Sequence, residues 1–181
     1  MNSRQTLTWS FLIAVLFASQ HSVGDSLRDA NELLEVAHAG RQFENLAEQQ
    51  AHSIVATYSS ILEMALEVSL PSDLQSEIVT CYSETYRWEN FSTGITQLLA
   101  QELSSEQLTL LINFYNSQGL PPSDIELFKD TIAMADHIAQ LSGEFIYNNS
   151  SGCVERDARL IHEFLRTHPG VVDIEQFEFA W

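Results

Sequence analysis

Positive charge is what this chain most lacks. Lys129 is its only lysine, and with the arginines it makes eight basic residues against 25 acidic ones in 181, a net charge of −17 with histidine neutral. Such a field repels nucleic-acid backbones and anionic membrane surfaces, so neither is expected as a partner. The acids are dispersed rather than blocked, so an acidic disordered tail is not indicated. Cysteine is nearly as scarce. Cys81 and Cys153 are the only two, and with no CxxC between them a dithiol redox enzyme is not indicated.

Catalytic and ligand-binding signatures are missing too. The histidines outside the N-terminal segment (His38, His52, His137, His162 and His168) fall into no HExxH or other ligand spacing. Asp136-His137 and His162-Glu163 are adjacent in sequence, and neighbours on a helix point in different directions. There is no GxSxG elbow, no Gly-rich phosphate loop and no EF-hand loop, and the Glu-x-x-His repeats that di-iron bundles need are not present. No catalytic residue, metal ligand or cofactor is predicted. Strand alternation is absent over any long stretch, and no repeat of 20–50 residues is visible.

The best-defined element is Ser104–Pro122. Ser104 and Gln107 have capping-box spacing. Gly119 is suited to a left-handed position at the helix end, and Pro121-Pro122 prevent continuation. Leu108, Leu110, Leu111, Ile112, Phe114 and Tyr115 cover about 200° of the helix surface, so packing on several sides is expected. Ser123–Glu126 is a second capping box. A helix, a tight turn and another helix make an αα-hairpin.

Phe114, Tyr115, Ser117 and Gly119, reached through an acidic capped helix and followed by a long amphipathic one, resemble the Phe-Tyr-x-Ser-Pro-x-Gly turn of a secreted bacterial family. That family is known as domain of unknown function 2059. Gln118 stands here where proline is usual, and the glycine comes one residue early. The resemblance covers about Leu74 to Phe145. It implies an all-helical envelope protein and brings no established activity.

Met1–Gly24 reads as a secretory signal peptide: Arg4 in the n-region, an apolar core at Phe11–Ala18, and Ser22 and Gly24 as small residues for cleavage before Asp25. The apolar core is too short to span a bilayer, which takes about 20 residues. An uncleaved N-terminal anchor is the other reading. No cysteine near that site suits a lipoprotein, and no other run is apolar enough to be an integral membrane segment. A periplasmic or secreted location follows. Cleavage removes Arg4 and no acid, leaving a charge of about −18 on about 157 residues, enough chain for one full core. Residues 25–181 are therefore expected to form a single all-helical domain.

The order of helices follows from periodicity. Ser26–Asp29 is a capping box, with Leu27, Ala30, Leu33, Leu34 and Ala37 on one face and Gly40 at the end. Ala47, Ala51, Ile54, Tyr58, Ile61, Ala65 and Val68 form a bundle seam, widened by Val55 and Leu62 and closed by Pro71. Leu74, Ile78, Cys81, Thr85 and Trp88 continue that spacing. Beyond the hairpin, Ile125, Phe128, Ile132, Ala135, Ala139 and Ile146 make one stripe of a single long helix. Met134, Ile138, Leu141 and Phe145 make another, as though that helix touches two neighbours. Asn148–Gly152 is a loop. Val154, Ala158, Ile161 and Leu165 define a last helix, stopped by Pro169-Gly170. The fold class expected is all-α, an antiparallel multi-helix bundle with a central αα-hairpin.

In an oxidising compartment Cys81 and Cys153 are expected to pair. The bond closes 72 positions and is worth about 4 kcal/mol by chain entropy; two buried thiols are the alternative. Arg156, Arg159 and Arg166 form a ridge on the last helix, read either as a docking surface for an acidic partner or as salt bridges to the chain's own acids. The Asp173–Trp181 tail, with Ile174, Phe177, Phe179 and Trp181, either covers the core or is presented to a partner. Three functions stay open: an exported protein acting through protein contacts, a small-molecule or lipid-binding bundle, and an enzyme whose site assembles from distant residues.

Overall fold

A computed structural model describes residues 22–167, and every regular element among them is helical. In order these are α1 (Ser22–Val36), α2 (Ala39–Leu66), α3 (Ser72–Thr85), α4 (Ser92–Glu102), α5 (Ser105–Tyr115), α6 (Ile125–Ala133), α7 (Ala135–Asn149) and α8 (Cys153–Arg166). Short 3-10 turns occur at Trp88–Asn90 and Pro122–Asp124. The expected all-α class is what is observed. The charged and apolar parts of the signal segment, the Pro169-Gly170 stop, His168 and the Asp173–Trp181 tail lie outside the described residues.

The chain packs as two compact units, one taking residues 22–38 and 94–142, the other 39–93 and 143–167. In the first unit α5 packs mainly on α1 and less on α6. Its interior holds Ala30 and Leu33 from α1, Ile95 and Leu99 from α4, and Leu108, Leu110 and Ile112 from α5, all buried. The Ser104 capping box forms as its spacing requires. The Ser104 Oγ accepts from the Gln107 N–H at 3.2 Å, and the Ser104 N–H donates to Gln107 Oε1 at 2.9 Å. The Ser123 box does not form. Ser123 Oγ instead donates to Asp124 Oδ1 at 2.8 Å, and the helix starts at Ile125 behind an uncapped 3-10 turn. Ser26 is no cap either. Helix α1 starts a turn earlier, and the Ser26 hydroxyl lies 3.3 Å from that of Ser105.

The hairpin turn differs from expectation in one residue. Ser117, at φ 60°, takes the left-handed position after α5, and Gly119 is a second left-handed residue beyond it. The Ser117 N–H donates to Phe114 O and the Gln118 N–H to Asn113 O, both at 3.0 Å, the two bonds of a Schellman closure. The predicted long helix after the hairpin is broken at Met134, whose N–H donates to Thr131 O at 3.2 Å in a tightened turn. Thr131 is buried, and its hydroxyl donates back to Leu127 O at 2.7 Å, a contact that bends helices.

The second unit is built on α2, α3 and α8. Ala51, Val55, Leu62, Ile78, Cys81, Tyr82, Cys153 and Leu165 are its buried core, with Leu70 from the α2–α3 connection. The seam of α2 therefore runs Ala51–Val55–Tyr58–Leu62. Ile61 and Ala65, placed on it by sequence, face outward. Helix α2 ends at Leu66, ahead of Pro71, with Glu67 at φ 55°. Gly40 does not end α1. That helix stops at Val36 with His38 at φ 53°, and Gly40 lies in the first turn of α2 against Trp88. A Cβ on Gly40 would sit 2.6 Å from Trp88 Cδ1, so only glycine admits the indole. Phe43 packs on both Trp88 and Phe91, with ring centroids 5.7 and 5.5 Å apart. Phe91 is fully buried between Tyr86 and Phe145.

Candidate functional site

Two features of the structure could carry function. One is buried in the second unit; the other is exposed on the first.

The buried feature begins with the cysteines. Cys81 near the end of α3 and Cys153 at the start of α8 form a disulfide across 72 positions, with Cα atoms 5.9 Å apart. With Arg156 of α8 paired to Glu77, a turn before Cys81 in α3, the two helices run antiparallel. Four residues along, one turn of α8 brings Asp157 under the same face, where it is wholly buried. The Tyr82 hydroxyl donates to Asp157 Oδ2 at 2.9 Å, and the Tyr58 hydroxyl joins them from α2. Asp157 Oδ1 is buried with no hydrogen-bond partner among the described residues. Burial pushes the Asp157 carboxyl above the ordinary aspartate range. The hydrogen bonds from Tyr82 and Tyr58 and the charge of Arg156 act the other way. Both phenols are pushed up as well, first by burial and then by the carboxylate beside them. The cluster joins α2, α3 and α8 around one buried carboxyl.

Sequence reasoning missed Asp157, although a signal was available. The α8 stripe drawn through Val154 and Ala158 is about a quarter-turn off. Val154 is half exposed, and the buried face runs through Cys153, Asp157 and Leu165. A wheel centred on the cysteine puts the aspartate in the middle of that face.

The exposed feature lies on the α5–α6 hairpin. Phe114 and Tyr115 in the last turn of α5 are 46% and 51% exposed, and Ile125 and Ile132 on α6 are 39% and 51% exposed. Phe128 lies between, half-buried, its ring 5.1 Å from that of Phe114. In the first stripe predicted for this segment Ile125, Ile132, Ala135 and Ala139 are thus exposed and Phe128 and Ile146 half-buried, while the second, through Met134, Ile138, Leu141 and Phe145, is half-buried throughout. The prediction that α5 is enclosed on several sides holds for Leu108, Leu110 and Ile112 and fails for its last turn.

No family model, curated protein or solved structure matches this chain. Arg156 pairs with Glu77 of α3 at 2.8 Å, while Arg159 and Arg166 lie exposed without an ion pair to any described residue. The ridge is thus one salt bridge and two open cations. Gly24 and Asp25 fall in the first turn of α1, where Asp25 meets Arg28 at 3.3 Å. The described histidines are exposed and scattered. His137 lies 3.5 Å from Glu102, an ion pair only while the imidazole carries its proton. No group of three or more His, Cys, Asp or Glu able to hold a metal occurs among the described residues.

Proposed function

We propose that this is an exported, periplasmic or secreted protein that acts by contact with another protein, through the apolar face of its α5–α6 hairpin. The observation that carries the reading is the row Ile125, Phe128, Ile132 with Phe114 and Tyr115 beside it. These side chains are spaced to be buried, yet four of the five stand in solvent. Contiguous exposed apolar surface of this kind marks interaction sites. The disulfide supports the compartment, since such bonds persist in oxidising surroundings. Among the described residues no helix is long and apolar enough to cross a membrane. The resemblance of the Phe114–Gly119 turn to the secreted family of unknown function points the same way.

A photo-crosslinking residue at Ile132 tests the reading in cells, with the same residue at exposed Gln101 as control. Adducts to a second polypeptide are expected from position 132 and not from 101. Equal labelling at the two positions, or none at 132, would refute a docking role for the hairpin.

A further inference from the structure

One carboxyl of the second unit lies where a charge is costly. Asp157, in the second turn of α8, is fully buried. The titratable groups that face it from the neighbouring helices are phenols: Tyr82 of α3, donating to Oδ2 at 2.9 Å, and Tyr58 of α2. Arg156, beside it on α8, is engaged with Glu77 of α3 at 2.8 Å, and Asp157 Oδ1 has no hydrogen-bond partner among the described residues. Ionised, this group would be a buried charge without a cation of its own; protonated, it is a polar group with a donor on one oxygen. Helix α8 is also the lightly held member of the unit. It packs mainly on α3, whereas α2 and α3 pack extensively on each other without it.

We infer that Asp157 is the catch of a pH-sensitive latch: α8 lies closed on α3 while this carboxyl holds its proton, and lifts away when the proton is lost. The disulfide keeps Cys153 on Cys81, so the part that moves is the rest of α8 beyond it. Opening brings the carboxylate into water and uncovers Ile161, Phe164 and Leu165, which belong to the same core as Leu62, Leu70 and Ile78. The direction follows from where the proton is held more tightly. Burial raises the carboxyl's pKa in the closed helix, against the pull of the two phenols and Arg156, and in the open helix it returns to about 3.9. The closed form is therefore favoured fully below the ordinary value, and that preference is lost as pH climbs through the raised one. Between the two, each pH unit multiplies the open-to-closed ratio by up to about ten. The latch lies in the unit without the α5–α6 hairpin and does not rest on the docking role proposed above.

Hydrogen–deuterium exchange of the full oxidised chain, read by mass spectrometry between about pH 4 and 8, tests the latch. Parent and Asp157→Asn are compared at the same pH, which cancels the pH dependence of the exchange chemistry itself. The parent-to-variant ratio of rates in α8 should rise with pH by up to about tenfold per unit and level off once Asp157 is ionised. Because α8 opens without α2 and α3, its amides in the parent should be about tenfold or more less protected than those of α2 at neutral pH. Tyr82→Phe keeps the carboxyl and removes a donor that favours its charged form. In that variant the rise in α8 should continue to higher pH than in the parent, and this comparison carries the test should Asp157→Asn fail to fold.

A ratio for α8 that stays constant across this range overturns the inference, whatever its size. So does equal protection of α8 and α2 in the parent, because the unit then opens as one body and α8 is no separate latch. A rise in Tyr82→Phe that ends at the same pH as the parent's would show that the phenol–carboxyl cluster is not the catch.

Discussion

Asp157 accepts from Tyr82 with one oxygen and leaves the other unpaired in the interior of the second unit. Its native pKa is raised by burial, so between the ordinary aspartate value, about 3.9, and the native one the folded state binds the extra proton. Stability is then fully present below the ordinary value and lost as pH climbs through the raised one. Asp157→Asn removes this titration with little change of shape. In urea unfolding between about pH 4 and 8, the variant should gain on the parent as pH rises; a constant difference would mean that Asp157 does not titrate in this window. Ser117 offers a simpler test. A non-glycine residue in the left-handed region costs about 1 kcal/mol, so Ser117→Gly should stabilise by about 0.5–1 kcal/mol. An unchanged or lower unfolding midpoint would show that serine carries no penalty there.

Helix α2 shows why a helix can be found in sequence while its ends and its facing are not. Its 28 residues have the apolar periodicity of a seam, so its existence was legible. Its termini were not, because His38 and Glu67 occupy positions that composition assigns to glycine. Nothing local marks them: both are exposed residues other than glycine that take the left-handed region all the same. Gly40 was legible as special and misread as to cause, for its smallness admits the Trp88 indole rather than a turn. Gly40→Ala should therefore cost about 1–3 kcal/mol, the usual range for overpacking, and shift the Trp88 emission as the ring is displaced. A neutral outcome would mean the indole moves aside freely. The same limit applied at the candidate sites. The disulfide followed from two cysteines and a compartment, but the exposure of Ile125 and Ile132 depends on which side of α6 finds a neighbour. Periodicity reports that a face exists and is silent about what covers it.

Across the whole molecule, the disulfide and the Asp157 cluster both belong to the second unit, while the hairpin belongs to the first. Reduction of Cys81–Cys153 should then act unevenly. Opening a loop of 72 positions should cost about 4 kcal/mol, less any native strain, concentrated in α3 and α8. Amide exchange under reductant should quicken there and stay unchanged in α1 and α5; equal acceleration in all four would show that the units melt together. The division has a further consequence, because two of its three borders fall inside α4 and α7 and neither unit is a continuous run of chain. During vectorial synthesis α1 emerges first and has to wait for α5, some 70 residues behind it, before its apolar side is covered. The second unit closes only when α8, the last described helix, has arrived. Until α5 and then α8 have been made, each unit lacks one of the helices it packs on.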